Sequence, residues 1–316
     1  MSAILFIMSE MSYRFEGAWY PKGGAGALTK MLTEVFLTNG GIIKLETEVR
    51  ALKIENKSVR SIICYDKKGK KDLNLKSKYI ISNIDLTKLV NDICIPNGFS
   101  IKFKKKINQR ETTYSSIVVS LGIDLDLKEL GFNDYELWRF YKMRATKENL
   151  AKTTANFEYE NTPIDLITCY SNIDPSCCPE GKSVVSIIYY SDFEPWKRFL
   201  ESSGTKSKEY YQFKDHIAKI FIQKVEKALD IENLGEKIEV VDVATPLTFF
   251  NYTYNRNGSN FGWRLNSKMQ MTHAIRNKTK LKNLFLCGQW VIPGASISAT
   301  SLSGFAAASR VLKKLS

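Results

Sequence analysis

The spacing of apolar positions changes from helical to strand-like in the first part of the chain. An apolar and aromatic stretch predicts a short helix at 2–15, and a second helix is predicted from Ala27 to Phe36, with Asn39-Gly40-Gly41 as its end. Two-residue alternation then predicts strands. These are 43–54, 59–65, 73–76 and the nearly continuous apolar run 79–82, which is typical of a buried parallel strand.

The middle of the chain has the spacing of a mostly antiparallel sheet. Polar turns separate short strand-like runs, and an amphipathic helix is predicted at 211–229. An aromatic segment, 249–263, follows the last of these strands. The predicted strands are 115–125, 137–141, 166–171, 183–190 and 238–243.

The last fifth of the chain predicts a strand, a loop and a helix. The apolar run 284–287 stops at Gly288, and an alanine-rich helix begins near Ala299, capped by Ser296 or Ser298. A helix start offers unpaired amides and a positive dipole end, so this unit is a candidate anion or cofactor site. A plain strand–turn–helix packing unit explains the same residues equally well. The pattern as a whole predicts an α/β plus α+β chain whose first domain is completed by the C terminus.

Composition adds a strong basic excess. The 316 residues are 44% hydrophobic and carry a net charge of +13. A lysine-rich solvated surface is the simplest interpretation, and attraction to anionic membrane lipid is the sharper one. Nucleic acid is not expected, because no recognised binding module surrounds the charge.

Cysteine and histidine usage argues against several kinds of chemistry. The six cysteines have neither zinc spacing nor a disulfide framework, which favours reduced thiols, a cytoplasmic location and no metal site. The two histidines are far apart in sequence, so a serine-hydrolase triad is poorly supported.

No apolar run reaches the roughly 18 residues of a membrane span. The glycine-rich turn 21–26 is neither G-x-G-x-x-G nor a Walker loop, and we interpret it as a helix N-terminal turn.

Several short motifs occur in an order that resembles the phytoene desaturase, carotenoid isomerase and retinol saturase group of FAD-dependent oxidoreductases. The similarity extends from about residue 13 to the C terminus and is strongest near the two ends. The motifs that carry it are Tyr20-Pro21-Lys22-Gly23-Gly24, Gly40-Gly41, Glu46-Thr47-Glu48-Val49, Ile81-Ser82-Asn83-Ile84-Asp85, Ala244-Thr245-Pro246-Leu247-Thr248, Gly258-Ser259, Gly262-Trp263 and 284–304.

The resemblance implies an incomplete Rossmann-like FAD/NAD(P)-binding domain with an inserted mixed-sheet substrate domain. It also implies FAD as cofactor and hydride transfer to or from an apolar polyene or isoprenoid. The implied boundaries are 1–20 (substrate domain), 21–90 (FAD-binding domain), 91–262 (substrate domain) and 263–316 (FAD-binding domain, strand–loop–helix).

The resemblance also implies a set of site residues. Val49 would meet the adenine side of FAD through its backbone, and Gly288 and Gln289 would lie by the ribityl–pyrophosphate. Gln289 stands where most of these enzymes carry an acidic residue. The first turn of the last helix would lie under the isoalloxazine, with its amides aimed at the N1/O2 edge. That turn comprises Ile297, Ser298 and Ala299.

For the substrate, the resemblance implies an apolar pocket lined by the aromatic segment, although ordinary core packing accounts for these residues equally well. No acid or base stands out, so no catalytic side chain is assigned, and His273 is interpreted as a surface or structural residue. The aromatic residues concerned are Phe249, Phe250, Tyr252 and Trp263.

One motif of the family is missing from this sequence. No strand–G-x-G-x-x-G–helix unit for the dinucleotide phosphates is found. We therefore expect the chain to be the C-terminal portion of a flavoprotein, with a separate N-terminal flavin-binding half, and to bind FAD poorly alone. The alternatives are a non-catalytic remnant or apolar-lipid-binding module, and a flavin amine oxidase or protoporphyrinogen oxidase branch.

Overall fold

The structure is a computed structural model that describes residues 11, 15, 17, 19–94, 98–132, 136–264 and 274–316. The described chain forms two compact units. The first contains Ile42–Thr113 and Tyr254–Ser316, and the second contains Ala18–Gly41 and Tyr114–Thr253. Each unit is built from segments that are distant in sequence.

The strands, in chain order, are β1 (Thr47–Glu55), β2 (Ser58–Asp66), β3 (Lys71–Leu75), β4 (Ile80–Ser82), β5 (Ser115–Ile123), β6 (Glu136–Phe140), β7 (Ile164–Cys169), β8 (Ser183–Ser191), β9 (Ile238–Ala244) and β10 (Leu284–Leu286). The longer helices are α1 (Ala25–Thr38), α2 (Ile101–Asn108), α3 (Lys147–Asn156), α4 (Lys208–Leu229), α5 (Pro246–Thr253) and α6 (Ile297–Leu312). Shorter helical turns occur at Leu86–Lys88, Leu89–Ile93, Tyr159–Asn161, Tyr170–Ile173, Pro175–Cys177, Glu194–Phe199, Leu234–Lys237 and Arg256–Gly258.

The first unit contains two small sheets around one apolar core. Strands β1, β2 and β3 form an antiparallel meander, and β4 pairs with β10 in parallel, with Leu284 opposite Ile80. The core includes Leu284 and Leu286 of β10, together with Trp263 and Trp290. This confirms a parallel strand at the apolar run 79–82. The burial predicted for it is wrong, because Ile80 and Ser82 are half-buried and Ile81 is 42% exposed.

The second unit is built on an antiparallel sheet of five strands in the order β6-β7-β8-β5-β9. Alternate residues of β5 and β8 are fully buried and pack with one side of α4, including Ile217 and Phe221. The predicted mostly antiparallel sheet and the amphipathic helix are both confirmed. Gly24 is the N-cap of α1, as expected for the glycine-rich turn.

Some boundaries differ from the sequence pattern. The strand predicted from residue 43 begins at Thr47, because a turn with Glu46 at a φ of 51° precedes it. The start of the aromatic segment is helical, since α5 begins with Pro246, a residue that favours the first helical position. Except for residues 11 and 15, which are helical, the helix predicted at 2–15 lies outside the described residues.

The compact units also differ from the implied domain boundaries. Helix α1 lies in the same unit as the five-stranded sheet, and that sheet's first segment begins at Tyr114. The implied division into cofactor and substrate domains remains a prediction. Among the described residues, no helix has both the length and the apolar character needed to cross a bilayer.

Candidate functional site

The candidate site, called the crevice below, is the place where β4 and β10 end side by side. The amide of Cys287 donates to the Ser82 carbonyl at 2.9 Å, so the two strands stay paired up to Asn83 and Gly288. Gly288 has a φ of 89°, and a Cβ atom on it would overlap the side-chain amide oxygen of Asn83. Ligands of open α/β sheets bind beyond the carboxyl ends of parallel strands. Asn83 thus occupies the space that a Cβ atom of residue 288 would need, and the buried glycine lets the two strand ends pack closely at the place where ligands of this fold bind.

Two buried polar side chains fix this crevice to the last helix. The Gly288 amide donates to Ser303 Oγ at 3.0 Å. Asn277 Nδ2 donates to the Leu286 carbonyl at 2.9 Å, to the Ser303 carbonyl at 3.1 Å and to Ser303 Oγ at 3.3 Å. Asn277 and Ser303 are 5% and 0% exposed. This Asn277–Ser303 network holds the end of β10 against α6.

The start of α6 presents an accessible first turn. Ser296 is its N-cap, and the Ser296 hydroxyl accepts from the Ala299 amide at 3.0 Å, which confirms one of the two predicted caps. Ile297 is 58% exposed, Ser298 is exposed and Ala299 is half-buried. The first amides of a helix have no intrahelical acceptor and mark the positive end of its dipole. The turn is thus suited to an electron-rich edge of a planar ligand.

The loop after β10 packs on the segment around Trp263. Trp263 Nε1 donates to the Trp290 carbonyl at 3.0 Å, and the two ring centroids are 4.7 Å apart. Gly262 has a φ of 68°, and a Cβ atom there would lie 2.8 Å from the Gln289 carbonyl oxygen. Gln289 is therefore held through its backbone, and its side chain is half-buried.

Val49 shares a core with this region. It is half-buried in β1 and packs against the cluster that contains Leu286 and Trp290. The pairing of β1 with β2 shifts register directly after Val49, between Val49 and Ala51. All six implied cofactor residues consequently lie in the first unit.

The implied substrate residues are distributed between the two units. Trp263 is buried beside the β10 loop in the first unit, whereas the other three lie on α5 in the second. Phe250 packs on Phe193 with ring centroids 5.2 Å apart, and Tyr252 is 84% exposed. Phe249 is half-buried. Phe250 and Trp263 thus have packing roles of their own.

Protonation at the crevice follows from burial. Desolvation raises the pKa of the Cys287 thiol, so this group at the end of β10 stays protonated at neutral pH. Within the described part of the chain, no three His, Cys, Asp or Glu side chains come together to hold a metal ion. His273 lies outside the described residues.

These residues fit one side of a bound flavin. The paired ends of β4 and β10 lie where ligands of this fold bind, and α6 provides a capped helix start with exposed side chains at 297 and 298. The fit covers the flavin-ring and ribityl side, because the sequence contains no phosphate-binding G-x-G-x-x-G.

Sequence reasoning overlooked three residues of this site. Asn277 meets Ser303, and Asn83 meets Gly288, only in the folded unit. The position of Asn83 directly after a parallel strand was the one available signal, because strand ends are where ligands bind.

Solved structures show which fold this is. An oxidoreductase from Methanosarcina mazei superposes with a TM-score of 0.60 at 16% identity, covering 96% of this chain and 58% of its own. Cyclohexylamine oxidase from Brevibacterium oxydans superposes with a TM-score of 0.55 at 8% identity, covering 92% and 53%. The chain therefore has the fold of the FAD-dependent oxidoreductases, and the predicted fold class is confirmed.

The family follows from the sequence match. Residues 1–312 match the flavin containing amine oxidoreductase family, and the chain belongs to that family. This confirms, for the family, the expectations of an oxidoreductase and of FAD as its cofactor.

Curated relatives narrow the resemblance. The chain is 24% identical to all-trans-retinol 13,14-reductase of Danio rerio, over 88% of the chain and 47% of the relative. It is 25% identical to phytoene desaturase of Fusarium fujikuroi, over 94% and 52%. It is 24% identical to prolycopene isomerase of Daucus carota, over 95% and 45%. The chain spans about half the length of the curated relatives it matches, and the implied carotenoid and retinoid group is confirmed.

Proposed function

We propose that this chain forms the flavin-ring side of an FAD-dependent oxidoreductase that transfers hydride to or from an apolar polyene or isoprenoid. The observation that carries this proposal is the crevice at the paired ends of β4 and β10, where the Gly288 amide bonds Ser303 of α6 at 3.0 Å and so ties the strand ends to that helix. The names of the relatives support a carotenoid- or retinoid-like substrate. The site would act by desaturation, saturation or isomerisation.

The residues of the crevice have separate tasks in this proposal. FAD, when bound, supplies the hydride chemistry. Gly288 and Gln289 would lie beside the ribityl region. The amides of Ile297 and Ser298 would stabilise negative charge on the ring edge, and the bond from the Ala299 amide to the Ser296 hydroxyl fixes the turn that carries them.

The phosphate side of the site is assigned to a separate N-terminal dinucleotide-binding half. Phosphate binding in this fold uses a glycine-rich turn and the helix start that follows it. Without that unit the chain keeps ring contacts but loses the contacts to the pyrophosphate. We therefore predict weak FAD binding by residues 1–316 alone.

The substrate would meet the aromatic segment. Tyr252 carries the largest exposed aromatic surface there, and Phe249 is half-buried beside it in sequence. Such side chains suit a polyene, which is recognised by apolar contact and shape.

A chimaera tests this function. The chain is fused to the part of the Danio rerio retinol reductase that lies outside the region of similarity, and its absorbance spectrum is compared with that of the chain alone. The chimaera should purify with about one flavin per chain, and the chain alone with little flavin. Stoichiometric flavin in the chain alone would refute the separate phosphate side, and a flavin-free, folded chimaera would refute the site.

Matched glycine variants of the chimaera locate the flavin. Gly288→Val should lower flavin retention, because the side chain meets Asn83 and L residues rarely adopt a φ of 89°. Gly304→Ala is the control, since nothing lies within 4 Å of its added Cβ. Equal retention by both variants would contradict the placement.

Substrates then separate the proposal from its alternatives. Anaerobic mixing with retinol, phytoene or prolycopene should change the flavin or polyene spectrum. The family description favours amine oxidation as a second candidate, and flavin reduction by amines alone would select it. Polyene binding by the chimaera without flavin would identify an apolar-lipid module.

A further inference from the structure

The positive charge of the chain is concentrated in one of its two units. Residues 42–113 and 254–316 contain 27 lysines and arginines against eight aspartates and glutamates. Residues 18–41 and 114–253 contain 18 against 23. A uniformly solvated surface would not separate charge in this way, so the first unit is suited to an anionic partner.

Part of this charge forms one surface, which we call the basic face: Lys57, Lys78, Lys282 and Lys314. Lys78 precedes β4 and Lys282 precedes β10, so both lie at the amino ends of the parallel strands. The Lys282 amide donates to the Lys57 carbonyl at 2.8 Å, and Lys314 Nζ donates to the Lys282 carbonyl at 3.2 Å. These bonds bring Lys57, Lys282 and Lys314, from distant parts of the sequence, together.

Tyr79 joins the remaining parts of the basic face. Its hydroxyl donates to the Lys314 carbonyl at 3.1 Å, and Lys78 Nζ lies 5.8 Å from its ring centroid. The four lysines are exposed, and none of them forms an ion pair within the described ranges. The face therefore keeps its charge for an external partner.

Two exposed leucines lie at the same end of the chain as Lys314. Leu312 and Leu315 flank Lys314 closely in sequence at the end of α6 and are 64% and 53% exposed. Lysines around exposed aliphatic side chains are typical of a surface that lies in a lipid headgroup region, where the leucines enter the acyl boundary. A nucleic-acid surface would instead use arginine forks and stacked aromatic rings.

We propose that the basic face, with Leu312 and Leu315, docks this protein on an anionic lipid membrane. The crevice lies at the opposite, carboxyl ends of β4 and β10, so docking leaves it free. Anionic lipid is concentrated in the cytoplasmic leaflet, which places the protein at that face of a membrane. The proposal depends on the charge distribution and not on the proposed hydride transfer.

Vesicle sedimentation of the full chain tests this proposal. The probes are phosphatidylcholine vesicles with and without about one third phosphatidylserine, at low and high salt. The chain should bind only the anionic vesicles, and high salt should release it because the Debye length falls from about 10 Å at 0.1 M to about 3 Å at 1 M. Equal binding to both vesicles, or no binding at low salt, would overturn the proposal.

Two triple variants separate this surface from net charge. Changing Lys78, Lys282 and Lys314 to Gln should weaken binding by about a hundredfold, at roughly fivefold for each lysine near the membrane. Changing Lys67, Lys68 and Lys70 to Gln removes the same charge from the turn between β2 and β3 and should cost much less. Circular dichroism confirms that both variants are folded. Equal losses would show that net charge alone attracts the protein and would overturn the assigned face.

Two further measurements complete the test. Leu312→Ser with Leu315→Ser should weaken vesicle binding at both salt concentrations, because the leucine contribution is not screened. Unchanged binding would overturn the role of the leucines. Binding of labelled duplex DNA with the same lysine dependence, without vesicle binding, would identify nucleic acid as the partner and overturn the membrane assignment.

Discussion

Replacing Ser303 with alanine tests the network that holds the crevice together. Ser303 Oγ is the acceptor for the buried Gly288 amide at 3.0 Å, and alanine removes it without adding volume. Asn277 Nδ2 keeps its bonds to the carbonyls of Leu286 and Ser303. The variant therefore leaves one buried amide without a partner, which costs about 1–3 kcal/mol.

Urea unfolding measures this cost. Ser303→Ala should move the midpoint to lower urea while the slope stays constant, because a changed slope would mean that a different transition is being compared. Ser301→Ala is the matched control, because the Ser301 hydroxyl donates to the Ile297 carbonyl of α6 at 2.8 Å but is exposed. Its effect should stay within about 0.5 kcal/mol. Equal midpoints for the two variants would refute the structural role of the network.

Three further predictions concern other parts of the fold. Lys224 Nζ and Asp165 Oδ2 form a buried ion pair at 2.9 Å. Lys224→Met should lower the free energy of unfolding in urea by about 3–5 kcal/mol, because it leaves a buried charge unpaired, and the double variant with Asp165→Leu should lower it much less. Equal losses in the two variants would contradict this pairing. Gly262→Ala should lower the thermal unfolding midpoint by more than Gly304→Ala. Gly262 has a φ of 68°, and the added Cβ would lie close to the Gln289 carbonyl oxygen. Equal midpoints for the two variants would contradict this close packing. Desolvation raises the pKa of Cys94 to about 12. At pH 8 a thiol reagent should therefore label exposed Cys177, while buried Cys94 stays protonated and unlabelled. Early labelling of Cys94 would contradict its burial.

Much of the secondary structure could be predicted, because the hydrophobic pattern and the turn residues of each segment favour the element that the segment forms in the fold. The apolar run 79–82 predicts a buried parallel strand; it pairs in parallel with β10, but Ile81 is 42% exposed. The small residues around 288–299 predict a strand–loop–helix, and Ser296 caps the helix as expected. In these segments, the type of element and its turn chemistry are encoded by neighbouring residues, whereas burial is not.

The remaining features depend on contacts between distant segments. Asn277 and Ser303 have no shared sequence motif, and only the packing of β10 against α6 brings them together. Helix α5 was overlooked because its aromatic residues suggested a pocket more strongly than a helix. Phe250, interpreted as a pocket residue, packs on Phe193 because the sheet and α5 belong to one unit.

The separation of charge also became visible only with the fold. The net charge of +13 follows from the composition, but the composition does not show where on the fold the charge lies. The excess of lysine and arginine lies in the unit that contains the crevice. Hydrogen bonds of Lys282 and Lys314 bring part of this charge together on one surface.

Hydrogen–deuterium exchange of the flavin-loaded chimaera, compared with the same protein after flavin removal, tests the central claim most directly. If the flavin ring lies against the start of α6, bound flavin should protect the amides of Ile297, Ser298 and Gln289 from exchange. The amides of Gly288 and Ala299 already have acceptors within the chain and should change less. Amides of α4, in the other unit, serve as the internal reference. Protection confined to other segments, with unchanged exchange at Ile297 and Ser298, would contradict the placement of the flavin in this crevice.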